Sequence, residues 1–99
     1  MGTGGWIYMM SNARKTTLYI GVTSDLPGRI LQHKEHYYPG SFTHKYNVDR
    51  CVYYEGFTCI EEAIHREKEV KKWRREKKEA LINQLNPEWK DMWIEVKEW

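Results

Sequence analysis

Two β-forming runs, Trp6-Ile7-Tyr8-Met9-Met10 and Thr17-Leu18-Tyr19-Ile20-Gly21-Val22, are separated only by the polar stretch Ser11 to Thr16. So short a connection leaves room for a hairpin and none for a crossover, so the two runs pair antiparallel. Alternation along a strand then sorts the side chains. Trp6, Tyr8 and Met10 share one face of the first strand, while on the second Tyr19 and Gly21 face one way and Leu18, Ile20 and Val22 the other. A two-stranded ribbon is not stable alone in water, so the rest of the chain must extend and cover it.

The remaining elements follow from caps and breakers. Thr23-Ser24-Asp25 offers helix N-caps and Pro27 suits a first turn, which predicts a helix running to about His36, before the break at Tyr37-Tyr38-Pro39-Gly40. Gly40 to Tyr46 is polar and reads as a loop, Cys51 to Glu55 as a third strand, and Gly56 as its end. Thr58-Cys59-Ile60-Glu61 has the capping-box pattern and opens a long helix to about Arg75, with a continuation or a second helix to about Gln84. Asn86-Pro87 stops it. The tail from Glu88 to Trp99 suits either a short helix or an extended edge segment. The order β-β-α-β-α-α makes this an α+β fold, a three-stranded antiparallel-type sheet flanked by helices. Residues 1–5 read as a structureless leader, native or a cloning remnant, and residues 6–99 as one domain.

Ninety-nine residues provide one modest core, and five Trp, seven Tyr and two Phe let few positions fill it. Cys51 and Cys59 form neither a disulfide framework nor a thiolate metal motif. The uncharged start, Met1 to Ala13, is too short to span a membrane and lacks a basic leader, so a cytoplasmic protein is expected. Net charge is only +2, yet Lys71-Lys72-Trp73-Arg74-Arg75-Glu76-Lys77-Lys78 sets six basic residues against one acidic. Such a stripe is compatible with phosphate contacts and equally with a solvated helix face.

The informative residues are polar groups on faces that should be apolar. Ile60, Ala63, Ile64 and Val70 form a stripe at helical spacing, and Glu67 lies on it. A carboxylate directed at a core needs compensation, either an ion pair with a lysine or arginine from another element or a bound metal. On the first helix Leu26, Ile30, His33 and Tyr37 share a side bordered by Arg29, whose planar fork suits phosphate oxygens. Gly21 leaves space beside Tyr19 into which a ligand or backbone can come.

Trp6-Ile7-Tyr8, then ten residues, then Tyr19-Ile20-Gly21, followed by Arg29, His33, Glu67 and Asn86, resembles the signature of the GIY-YIG nuclease superfamily. The match spans roughly residues 6–90 and looks most like the small stand-alone bacterial members; Trp6 stands where the signature has its first glycine. The resemblance implies a metal-dependent endonuclease hydrolysing phosphodiester bonds in DNA, nicking or structure-directed, of the kind that serves DNA repair or recombination. It assigns Glu67 as the protein ligand of one Mg2+ or Mn2+, the ion acting as Lewis acid on the scissile phosphate. Tyr8 would position or deprotonate the attacking water and Tyr19 hydrogen-bond water or phosphate. Arg29 would stabilise phosphoryl charge, His33 assist proton transfer or bind phosphate, and Asn86 fix the geometry. His44, Lys45, Lys71, Lys72, Arg74 and Arg75 are candidate phosphate contacts, and Trp73 either stacks on a base or covers the core. His36 and His65 carry no signal. The competing readings are a nucleic-acid-binding module of the same fold with little turnover, and a protein-interaction domain, which leaves an inward Glu67 without a purpose.

Overall fold

The computed structural model describes residues 3–35 and 40–99. Strands β1 (Gly5–Ser11) and β2 (Leu18–Thr23) pair antiparallel with Tyr8 opposite Gly21 and Met9 opposite Ile20. Asn12 folds the connection: its side-chain oxygen accepts the N–H of Thr16 at 2.9 Å and of Thr17 at 3.1 Å. Gly4 and Gly5 are not structureless. Gly4 N–H donates to the Phe57 carbonyl at 2.8 Å and Gly5 is already paired, so the sheet begins inside the expected leader.

Strand β3 (Arg50–Phe57) pairs on the other side of β1, giving the antiparallel order β2-β1-β3. Gly56 does not end it. A Cβ there would lie 2.9 Å from the Trp6 ring, so the glycine lets Trp6 lie across the strand and pairing runs on to Phe57. A register shift between Met9 and Met10 leaves Val52 as an extra residue, and both Val52 and Tyr53 reach the same core cluster.

As the central strand, β1 is buried on both faces, and Ile7 to Met10 expose nothing. One face, carrying Ile7, Met9 and Ile20, is covered by Ala63 and Val70 of α3 (Ile60–Lys71) and Ile82 of α4 (Arg75–Leu85). The other, carrying Tyr8, Met10 and Cys51, is covered by Leu26 and Ile30 of α1 (Leu26–Lys34) and Val96 of α5 (Trp93–Val96). Asp25 caps α1, accepting the Gly28 N–H at 3.2 Å. The expected end of that helix, with His36, and the break at Tyr37 to Pro39 lie outside the described residues.

Three local expectations are corrected. The polar segment after Gly40 holds a turn of helix, α2 (Phe42–Lys45), because the Ser41 side chain caps it by accepting the His44 N–H. The N-cap of α3 is Cys59 rather than Thr58, whose hydroxyl instead donates to Glu62 at 2.7 Å. The long helix breaks at residues 72–74, where Trp73 turns in to pack on the core and Arg74 adopts extended backbone. The tail resolves as the short α5, tied in by Asp91: its carboxylate pairs with Lys34 and accepts the Cys51 N–H. Among the described residues no helix is long and apolar enough to cross a membrane.

Candidate active site

The face of the sheet under α1 collects four of the singled-out residues. Tyr8 projects from the middle of the central strand and is wholly buried. Its phenol lies over Gly21, where a Cβ would come within 2.4 Å of the phenolic carbon and oxygen. The space left by Gly21 is therefore filled by Tyr8, its cross-strand partner, and not by a ligand. Tyr19, two residues before Gly21, stands beside it with ring centroids 6.2 Å apart.

Helix α1 supplies the groups that meet the phenol. The Tyr8 hydroxyl lies 2.9 Å from His33 Nε2, and the Arg29 guanidinium acts electrostatically on the same phenol. The other imidazole nitrogen, Nδ1, is 3.0 Å from the Thr43 hydroxyl, which in turn is 3.3 Å from that of Ser41. Arg29 can only donate, so it cannot accept the phenol hydrogen. The buried phenol hydrogen needs an acceptor and finds it in Nε2, which puts the imidazole hydrogen on Nδ1, donating to Thr43.

Electrostatics fix the resting protonation. Burial, then the neighbouring Tyr19, pushes the Tyr8 phenol well above its ordinary range, and the Arg29 charge only partly offsets this. Burial and the same Arg29 charge lower His33 to about 4, so the imidazole is neutral at physiological pH. Tyr8 is thus a neutral phenol donating to a neutral imidazole.

Glu67 comes from the opposite layer. It is buried on α3, and its Oε2 lies 2.7 Å from Lys71 Nζ, one turn on. That hydrogen bond raises the Lys71 pKa, and Tyr19 acts on the same ammonium. Lys71 and Tyr19 line one cavity of about 350 Å3 at the exposed edge of β2, completed by Leu18, Ile20, Phe42 and Lys78. The ion pair that compensates Glu67 thus comes from its own helix and not from another element, and its lysine borders Tyr19. A larger depression of about 520 Å3, along Glu61, Glu62, His65, Arg66 and Glu69, contains none of the candidate residues.

For a cation, the described residues offer no group of three or more His, Cys, Asp or Glu. The donor set at the site is one buried carboxylate. That suits a hard, largely hydrated ion such as Mg2+, which keeps most of its waters and takes one or two carboxylates plus phosphate oxygens. It does not suit zinc, which needs several nitrogen or sulfur ligands.

The other candidates are dispersed. Asn86 caps α4 and is a structural clamp: its amide donates to the Val52 carbonyl at 3.1 Å and the Lys90 carbonyl at 2.8 Å, and its oxygen accepts the Lys90 N–H. Arg75 reaches back to the hairpin loop, donating to the carbonyls of Thr16 at 2.8 Å and Lys15 at 2.6 Å as well as to Glu79. Trp73 packs on the core with Lys77 over its ring at 4.2 Å. Lys72, Arg74, His44 and Lys45 are at the surface. Thr43, the second partner of His33, carries no sequence signal; it sits in a polar stretch ten residues from the histidine and becomes visible only once α2 is formed.

Residues 4–80 match the family described as the GIY-YIG catalytic domain. The fold is similar to the solution NMR structure of the UPF0213 protein BH0048 from Bacillus halodurans, with a TM-score of 0.56 and 27% identity, covering 89% of this chain and 92% of that one. No curated protein matches.

Proposed function

Because the chain belongs to the GIY-YIG family, whose catalytic domain it matches over residues 4–80, we propose that it is a divalent-metal-dependent endonuclease. It hydrolyses phosphodiester bonds in DNA, nicking or acting on branched structures, in repair or recombination. The observation that carries this reading is the convergence of Arg29 and His33 on the Tyr8 phenol beside Tyr19.

Arg29 binds a non-bridging phosphate oxygen and holds the phosphate against the edge of β2, where Tyr19 hydrogen-bonds it or the attacking water. Tyr8 is too weak an acid to rest as a phenolate, so it acts by passing protons. As the phenol oxygen takes a proton from the water, its own hydrogen moves to His33 Nε2. The phosphate assists, because its charge cancels the Arg29 charge that helps hold His33 down. Glu67 would hold Mg2+ or Mn2+ once the half-exposed Lys71 swings aside, the ion then taking over the compensation that the buried carboxylate needs. When bound, the ion supplies Lewis-acid polarisation of the phosphate and charge for the departing 3′ oxygen. His44, Lys45, Lys71, Lys72, Arg74 and Arg75 are the proposed backbone contacts, and Asn86 a positioning residue.

Two observations favour a second reading, a binding module of the same fold with little turnover. Lys71 already occupies the Glu67 carboxylate, and Tyr8 exposes no surface. Incubation with supercoiled plasmid, branched and single-stranded DNA, with Mg2+, Mn2+ or chelator, separates the two. The nuclease reading expects metal-dependent cleavage, abolished by Glu67→Gln and lowered at least about 100-fold by Arg29→Ala or Tyr8→Phe. Salt-sensitive binding without cleavage in any metal would install the second reading.

A further inference from the structure

The short helix α2 presents more aromatic surface than its packing uses. Phe42 is 47% exposed and Tyr46 44% exposed, and Phe42 lines the cavity that holds Tyr19 and Lys71. Their rings are in contact, centroids 4.9 Å apart, and Phe42 continues to Tyr19 at 6.2 Å. Three rings thus run outward from the site. Cations border the row: Lys45 sits 5.5 Å from the Tyr46 ring centre, and Lys71 and Lys78 line the cavity together with Phe42. Solvent-facing rings interleaved with ammonium groups complement a ligand that has flat apolar faces and phosphates together.

From this arrangement we infer that Phe42 and Tyr46 form a stacking platform for the bases of an unpaired strand, whose phosphates lie on Lys45, Lys71 and Lys78. The inference rests on the nucleic-acid reading of the same site and narrows its substrate class. A base inside a duplex is already stacked on both faces and cannot lie on a protein ring, whereas a single strand, flap or overhang offers free faces. Because stacking tolerates every base, the platform selects unpaired structure and not sequence. It also sets the direction of approach: a strand stacked on Phe42 leads its backbone past Tyr19.

The test is binding by the full chain in chelator, so that cleavage plays no part. Fluorescently labelled single strands of DNA and RNA are compared with a duplex of the same length and with an abasic strand that keeps every phosphate. The base-bearing strands should bind at least about tenfold more tightly than the abasic one, since a stacked ring contributes about five- to hundredfold in affinity. Phe42→Ala and Tyr46→Ala should each remove much of that advantage and leave abasic binding unchanged, while Phe42→Trp and Tyr46→Phe should keep it. Equal affinity for base-bearing and abasic strands would overturn the platform, as would tighter binding of the duplex. The abasic comparison uses the unaltered protein, so a variant that disturbs Tyr19 does not confuse it. Plasmid cleavage in metal with no base-dependent binding here would sink the platform and leave the nuclease reading standing; the converse would do the opposite.

Discussion

Tyr8 shows how one side chain can be fixed from four directions. Gly21 makes room beneath it, Arg29 and His33 meet its oxygen, and Tyr19 flanks it. Sequence alternation sorted Tyr8 and Tyr19 within their own strands and helical spacing put Arg29 beside His33; the register that sets Tyr8 opposite Gly21, and so on the side of Tyr19, came from the structure. Thr43 was not legible from the residues, since it acts through a contact that exists only when α2 docks. With Thr43 accepting from Nδ1, His33 keeps the tautomer that receives the phenol hydrogen. Thr43→Val should release that choice, shifting the ring 15N signals toward the other tautomer and lowering cleavage about tenfold; Thr43→Ser should restore both. Unchanged ring signals in the valine variant would remove Thr43 from the relay. The same histidine gives a pH prediction. Unfolded, it binds a proton as pH falls through 6.5; folded, only near 4. Between those values the unfolded chain holds the extra proton, so stability present above about pH 6.5 declines toward pH 4. The ring is only half-buried, and solvent screening reduces the effect to about 1 kcal/mol. The fall in unfolding free energy across that window, from urea titrations, should be smaller in His33→Gln than in the parent by that amount.

At the scale of elements, strands and caps with strong local chemistry were readable and the interruptions were not. The hairpin, β3 and the start of α1 all stand near their expected positions because β-formers, Asp25 and Pro27 act over a few residues. The break between α3 and α4 has no glycine or proline to announce it; it comes from Trp73 turning toward the core, a tertiary demand that overrides good helix formers. Gly21 was noted for the right reason and given the wrong occupant, because cross-strand register decides which side chain fills a gap. Its role predicts a clear defect. A methyl group at position 21 would press on the phenol carbon and oxygen at 2.4 Å, and His33 and Arg29 leave that ring little freedom to retreat. Gly21→Ala should therefore cost about 1–3 kcal/mol in urea unfolding and should weaken cleavage beyond that loss, since Tyr8 must leave its partners. A variant as stable and active as the parent would show that the phenol has room to move.

Across the whole molecule the charge is arranged more locally than the sequence stripe suggests. The six basic residues between Lys71 and Lys78 do not share a face, because the chain turns at residues 72–74. Lys71 goes to Glu67, Arg75 to Glu79 and the hairpin loop, Lys77 over Trp73, and Lys78 into the cavity. Lys72 and Arg74 remain exposed at the corner. With a net charge of only +2, long-range attraction to a polyanion is weak, so binding must come from a few direct phosphate contacts. Each such contact releases counterions and adds about 0.9 to the slope of log affinity against log salt on duplex DNA, and about 0.7 on a single strand. If Lys72 and Arg74 both touch phosphate, replacing the pair by glutamate should reduce the duplex slope by about 1.8, measured in chelator over a series of salt concentrations. The loss should be uniform across sequences, because these groups read charge and not bases. A slope that does not change would reduce the corner to a solvated surface and leave Lys71 and Lys78, in the Tyr19 cavity, and Lys45, over the Tyr46 ring, to carry the backbone contacts.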